Sequence, residues 1–474
     1  MIKNRPILYL ILLPIFGVSG YFLFPNKSSV PPLAIAQENT PTPQLSPEII
    51  VQNHPVRPLP GQLDSVLMFN SNSPEWLKNE GILLSTFPPT NKSSPQAHLN
   101  FPFQGRFDLF VHHQTINPPN LQTFYLGVIL YNPGSQTVTV DILQAASYLT
   151  QDSPYIKLPY YVENPDNTVY AGPGDRAVHD VLQGKIQADF PAKLIIPPGQ
   201  SRMLMNLSMP VRDFEKKQNG RSTLMRLRSS GKVYAASLAM FAKQNADGTE
   251  RAPNLTEWQA LLTTGNLANP RDKIPTPPEQ IGGQLIYSRV GGVSQGSRWN
   301  AVLVDPPNAK DFTIPQSGKA VSYVINTLRG GTLGTNQNQT AKMLVRYPDT
   351  AYESHGNYAV EYNINVPLYN PTNQTQTVSL TLETPLKEDR LSRGGLIFRN
   401  PSFGFPWFRG SVRLQYKNDQ GQQVTRYVHL WQPMGQVLEP LLKLEMPAGD
   451  RRNVQLDFIY PPDSTPPQVL TIKN

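Results

Sequence analysis

Gly292-Val293-Ser294-Gln295-Gly296 has the spacing of a nucleophile elbow, in which a strand delivers a serine onto a tight turn and a following helix raises its hydroxyl. Residues 298–304 (RWNAVLV) alternate like a strand where that helix would have to be, so a glycine-rich loop is expected instead of an esterase site. His112-His113, with Asp108 nearby, raises metal ligation. Adjacent strand residues point to opposite faces, however, and four residues of strand carry Asp108 ~13 Å from His112, so an ordinary strand end is expected. His54, His98, His179, His355 and His429 are scattered and lack chelating spacing. Asp349, Glu353 and Glu361 are close in sequence, but a glycosidase pair is defined by ~5–10 Å in space, which linear position does not supply. The stretch 329–340 has glycines but no P-loop lysine and reads as a mobile connection. The chain has no cysteine, which removes thiol nucleophiles, disulfides, thiolate zinc sites and iron–sulfur clusters. No catalytic residue, metal or cofactor is therefore assigned.

Aromatic side chains carry the stronger signal. Tyr155, Tyr160, Tyr161 and Tyr170, and separately Phe403, Phe405 and Trp407 with Arg409, fall in Pro-, Gly- and Asn-rich segments that read as loops. Rings displayed on a rigid sandwich suit the apolar faces of sugars, with Asn and Arg serving the hydroxyls. The competing reading is a satellite core in which the same rings are buried under long loops.

Strands must position these residues. With 48 Pro in 474 residues, about twice the usual ~5%, long helices are disfavoured and short strands joined by turns are favoured. Two phrases occur in both halves. Residues 128–133 (VILYNP) lead into the alternating run 136–142, and 366–371 (VPLYNP) lead into 376–382. Lys193-Leu194 with Pro197-Pro198-Gly199 precedes a run to Pro210, as Lys443-Leu444 with Pro447-Ala448-Gly449 precedes a run to Pro461. The first of these runs, 203–209, is displaced by one residue relative to its counterpart. Hairpins are expected at 223–241, turning on Ser230-Gly231, and at 412–431, turning on Gln420-Gly421. Helices are expected only at 73–80, 175–183 and 256–264.

The fold class expected is mainly β: two tandem antiparallel β-sandwich lobes, Ig-like or jelly-roll-like, with a few short helices in connections. The organisation read from composition is 1–36 signal peptide or membrane anchor, 37–60 disordered Pro/Gln/Thr-rich linker, 61–270 first lobe, 271–284 interlobe linker and 285–474 second lobe. Lys3 and Arg5 precede an uncharged apolar stretch, 7–24, and Ala34-Ile35-Ala36 has a small-x-small form, so the chain is expected to be exported. The stretch is long enough to leave a cleaved signal and a retained anchor both open. Lys3, Arg5 and Lys27 are the only charges before residue 37, and removing them lowers the formal net charge from +8 to +5. No basic run remains, so a nucleic-acid partner is not expected, and membrane contact is expected only through the N-terminal segment if it stays uncleaved.

The segments 58–64 (PLPGQLD), 98–108 (HLNFPFQGRFD), 346–358 (RYPDTAYESHGNY) and 460–470 (YPPDSTPPQVL) resemble an uncharacterised cyanobacterial family of exported proteins, a domain of unknown function. The resemblance covers roughly residue 55 to the C-terminus and implies export, but it brings no activity or functional residues. The function expected is a non-catalytic protein of the periplasm or cell envelope, secreted or N-terminally anchored, that binds or organises envelope polymer such as polysaccharide. The alternatives are a polysaccharide or ester hydrolase with its site between the lobes, and a structural scaffold or assembly partner of another envelope protein. Cleavage after Ala36 gives a mature chain starting at Gln37, whereas an anchor keeps the leader. Mass spectrometry of the native N-terminus separates these outcomes, and a start beyond residue 60 would overturn the export reading.

Overall fold

The computed structural model describes residues 46–474 except 153–155, 173 and 463. The expected leader and residues 37–45 of the expected linker lie outside the described residues. The principal strands, in chain order, are β1 (Glu48–Gln52), β2 (Val56–Pro58), β3 (Gln62–Leu63), β4 (Leu67–Ser71), β5 (Phe103–Ile116), β6 (Phe124–Tyr131), β7 (Val138–Leu149) and β8 (Tyr161–Glu163). They continue with β9 (Lys193–Ile196), β10 (Ser201–Met209), β11 (Gln218–Phe241), β12 (Gly291–Gln295), β13 (Arg298–Val302), β14 (Ala320–Ile325), β15 (Ala341–Arg346) and β16 (Glu361–Tyr369). The last are β17 (Gln376–Glu383), β18 (Leu396–Asn400), β19 (Pro406–Lys417), β20 (Gln423–Pro433), β21 (Leu442–Met446), β22 (Arg451–Ile459) and β23 (Gln468–Lys473). Helices α1 (Asp175–Leu182) and α2 (Leu255–Thr264) complete the set. The fold is mainly β with antiparallel-rich sheets, as the sequence leads one to expect.

The repeated phrases build the same unit twice. One sheet runs β4-β5-β11-β7-β9 and the other β2-β14-β23-β17-β21, and in each the first pair is parallel. Within the first phrase, Asn132 donates to the carbonyls of Gln136 (2.7 Å) and Ile196 (2.9 Å) while its Oδ1 accepts the Gly134 amide. Asn370 repeats this: it donates to Gln374 (2.8 Å), Met446 (2.9 Å) and Pro447 (2.9 Å), and its Oδ1 accepts the Thr372 amide. Both asparagines are fully buried, so each closes its own turn and ties it to the glycine turn of the second phrase. The one-residue displacement at 203–209 is a bulge: the register of β10 against β6 shifts between Met203 and Met205.

Alternation then fills two cores. Phe107, Leu109, Val140 and Leu227 meet Leu126, Val128, Leu204 and Ala235 in the first copy. Val321, Val378, Leu380 and Ile472 meet Ile364, Leu414, Leu456 and Phe458 in the second. α2 covers the outside of the β6–β11 layer with Trp258, which lies so close to Gly127 that a Cβ there would stand 2.8 Å from the indole. Its Asn254–Glu257 capping box fixes its start, one residue before the expected 256–264.

The copies do not keep to their halves of the chain. β2 and β3 precede the first copy yet pair with β14 and β13 of the second. β12 and β15 follow 271–284 yet extend the first copy's sheet from β4. The strands therefore do not sort at 271–284, and 47–474 packs as one compact unit. β1 and β2 also give part of the expected linker regular structure, because β1 pairs residue for residue with β18 and Ile50 packs near Phe398. Three local expectations are corrected. Residues 73–80 are not a helix: Trp76 and Leu77 pair in parallel with Gln114 and Thr115, and this tertiary pairing overrides the capping pattern. The 223–241 hairpin is one strand, β11, which leaves β5 and β7 near Ser230-Gly231 and joins β6 in the facing sheet. The stretch 329–340 is pinned, with Gln337 bonded to both the amide and the carbonyl of Leu59.

Replacing Asn370 with Ala removes its three donated hydrogen bonds and the acceptor of the Thr372 amide, so we expect a loss of about 2–3 kcal/mol in denaturant unfolding. The exposed neighbour Asn373, changed to Ala, should stay within about 0.5 kcal/mol. Equal effects would show that the turn does not depend on the buried amide.

Candidate functional site

The seam between the two copies carries a polar cluster beside its apolar contacts. Seven of the eight residues of α1 are buried in it. His429 Nε2 lies 2.8 Å from Asp175 Oδ2, and Asp180 accepts from Tyr148 (2.5 Å) and Asn167 (2.9 Å). Burial lowers His179 to about 4, so it is neutral at pH 7 beside Asn164. A cavity of about 300 Å³ nearby is lined by Asn72, Glu75, His112, Arg289, Tyr358 and Arg409. There His112 Nδ1 is 2.7 Å from Ser222 Oγ, but His112 Nε2 is 4.0 Å from Glu75, which Arg289 pairs. That gap is too long for the orienting hydrogen bond of a serine–histidine–acid relay, and Ser222 is buried against its cross-strand partner.

The chemistry candidates from the sequence separate in space. Ser294 is buried within β12, not in a loop, and its hydroxyl has no hydrogen-bond partner among the described residues. The sequence 292–296 leads through Gly296 into β13, which matches the strand expected after it. His112 and His113 face opposite ways, the latter toward Ser71 and the Pro74 carbonyl, but they lie inside β5 because that strand runs on to Ile116. Asp349 is held bidentately by Arg271, Glu353 by Thr340 and Asn338, and Glu361 by Arg226 and Arg298. These three carboxylates do not converge.

Of the aromatic set, Tyr155 lies outside the described residues. Tyr170 is half-buried under the Arg176 guanidinium at 4.6 Å, on the approach to α1, and Arg409 lines the seam cavity. The others flank one strand. Tyr160 and Tyr161 lead into β8 on one side of β20, while Phe403, Phe405 and Trp407 lead into or begin β19 on the other. Tyr161, Trp407 and Arg409 are strand residues rather than loop residues because backbone pairing with β20 captures them. Tyr160 and Phe405 are 39% and 53% exposed, and the Tyr160 ring stacks 6.5 Å from Trp431.

Tyr160 and Tyr161 lead to a second concavity. Tyr161 Oη donates to the Glu439 carbonyl at 2.8 Å and Tyr160 Oη to Gln436 at 3.0 Å, so both hold the segment 436–439. That segment is one wall of a groove of about 970 Å³ on the outer face of the β2-β14-β23-β17-β21 sheet, and residues 52–55 form another. Alternation along β17 sends Val378, Leu380 and Leu382 to the core and Thr377, Ser379, Thr381 and Glu383 to the groove floor. Thr381, Glu383 and Thr471 are buried at its deep end, whereas Thr377, Lys443 and Lys473 are exposed at the other. Glu383 accepts the Leu438 amide at 3.0 Å, and burial pushes its carboxyl up to about 7. His54, lowered by burial and by Lys473, lies 2.7 Å from Ser322. Reading the sequence missed this floor because an outward polar row on a strand looks the same whether it faces bulk water or a walled groove. The alternation of 376–382 was the available signal.

Among curated proteins, none matches the chain. The chain belongs to the family described as Protein of unknown function (DUF3370), whose model matches residues 54–474.

Proposed function

We propose that this is a non-catalytic, extracytoplasmic protein of the cell envelope whose groove takes a glycan strand. The observation that carries the reading is the groove floor of Thr377, Ser379 and Thr381 beside Asn53 and Gln52, walled by a segment that Tyr160 and Tyr161 hold in place. Hydroxyl and amide groups of that kind match the donor and acceptor pattern of sugar hydroxyls, and the exposed Tyr160 ring offers a flat apolar face beside it. The leader-like segment 1–36 supports the location.

Glu383 favours a second reading. A carboxyl pushed up to about 7 in the same groove as Glu439 has the protonation state of a general acid in glycoside hydrolysis. Release of reducing ends from envelope glycans by the wild type, abolished in Glu383→Gln, would establish it.

Calorimetry or affinity electrophoresis with envelope glycans tests the binding reading. Tyr160→Ala should weaken binding about fivefold, the ~1 kcal/mol scale of a stacked ring, and Ser379→Trp should block the floor. No binding by the wild type, or unchanged binding in both variants, would remove the reading. The state of Glu383 is tested separately. Its folded pKa lies above the ordinary glutamate range, so its contribution to stability is fully present below that range and is lost as pH rises through about 7. The neutral amide of Glu383→Gln has no such loss. The variant should therefore gain on the wild type between pH 5 and pH 8, by on the order of 3 kcal/mol at most, and a constant difference in thermal melts across that range would show that Glu383 titrates normally.

A further inference from the structure

We propose that the polymer bound in this groove is polyanionic, an acidic polysaccharide bearing carboxylate or sulfate groups. The inference rests on the glycan reading above and narrows it to one class. Sheet register places Ser379 of β17 opposite Lys443 of β21 on one side and opposite Lys473 of β23 on the other, with Ala320 of β14 next in the row. Directly opposed residues on adjacent strands share a face, so Lys443 and Lys473 stand on the groove side of the sheet with backbones ~10 Å apart. Lys319 adjoins the row, its carbonyl accepting the Asn474 amide at 3.1 Å.

All three lysines are exposed, all line the groove, and none has an ion pair among the described residues. The nearest carboxylate along β21, Glu445, instead accepts from Thr377 at 2.8 Å. In a second groove, of about 520 Å³ on the other sheet of this copy, the two arginines are paired, Arg451 with Asp311 and Arg452 with Asp419 and Asp450, while Lys417 has no ion pair among the described residues. A row of like charges across a sheet without an opposing acid is unfavourable until an anion neutralises it. Glu439, at the other end of the groove, repels anionic groups and so directs them toward the lysines.

The test uses the full chain in affinity electrophoresis against polygalacturonate, dextran sulfate and uncharged dextran. The expected result is binding of at least one charged polymer at least tenfold tighter than the neutral one, weakening as salt rises. The double variant Lys443→Gln/Lys473→Gln should lose that preference, while Lys232→Gln/Lys310→Gln, which removes the same charge from exposed lysines elsewhere, keeps it. A preference for one charged polymer over the other identifies carboxylate or sulfate as the group recognised. Equal binding of neutral and charged polymers, or equal loss in both double variants, would overturn the inference and leave the glycan reading standing. Binding of none of the three, and of no envelope glycan, would remove both.

Discussion

Arg226 of β11 meets Glu361 of β16 at 2.5 Å, with both side chains less than a tenth exposed, and this contact joins the two copies. Arg298 reaches the same carboxylate at 2.8 Å, and Asp108 lies 3.9 Å from Arg226 on the other side. Burial alone would push Glu361 upward, but the two guanidinium groups hold it below the ordinary carboxylate range. Removing charges from water costs several kcal/mol per ion, so such a cluster is tolerated only where every member finds its partner. A docking displaced by one strand position would leave a buried charge alone. The cluster therefore acts on geometry more than on net stability: it fixes which faces of the two copies meet, and with them the seam, α1 and the interleaved strands.

The duplication was legible in the sequence because its signal is local. Asn132 and Asn370 close turns within a few residues, and the alternation after each marks the buried face directly. The bulge at Leu204 was visible as a displaced alternation, though not its cause. What failed were elements whose identity depends on a distant partner. Ser230-Gly231 has the composition of a hairpin turn, and only the facing sheet makes it the corner of a continuous strand. Ser73-Pro74 reads as a helix start, but β5 claims the residues that follow. β1 and β2 lie in a Pro- and Gln-rich stretch and become strands because β18 and β14 present open edges to them.

The site was less legible than the fold, for the same physical reason. Tyr160 and Tyr161 are conspicuous as aromatics, yet only the fold brings to their hydroxyls the segment they hold. Lys443, Ser379 and Lys473 are unremarkable in sequence, and they form a row only through the register of three strands. Arg409 was grouped with Phe403, Phe405 and Trp407 by proximity along the chain. Phe405 precedes β19 and remains exposed, whereas Arg409 lies inside the strand beyond the irregularity between Pro406 and Phe408 and lines the seam cavity.

The faces of the two copies are used differently. In the first copy the corresponding sheet turns Phe110, Ala146 and Leu224 outward, and they join α1 and the second copy in a shared core. That face is consumed by docking. In the second copy the equivalent face carries Thr377, Ser379 and Thr381 and receives the walls 52–55 and 437–440 instead. One wall is the segment that leads from β1 into β2, strands that precede the first copy, so the interleaving that makes 47–474 a single unit also encloses the groove. The two copies thus present equivalent faces in different settings: one forms the joint between them, and the other forms the floor of the groove.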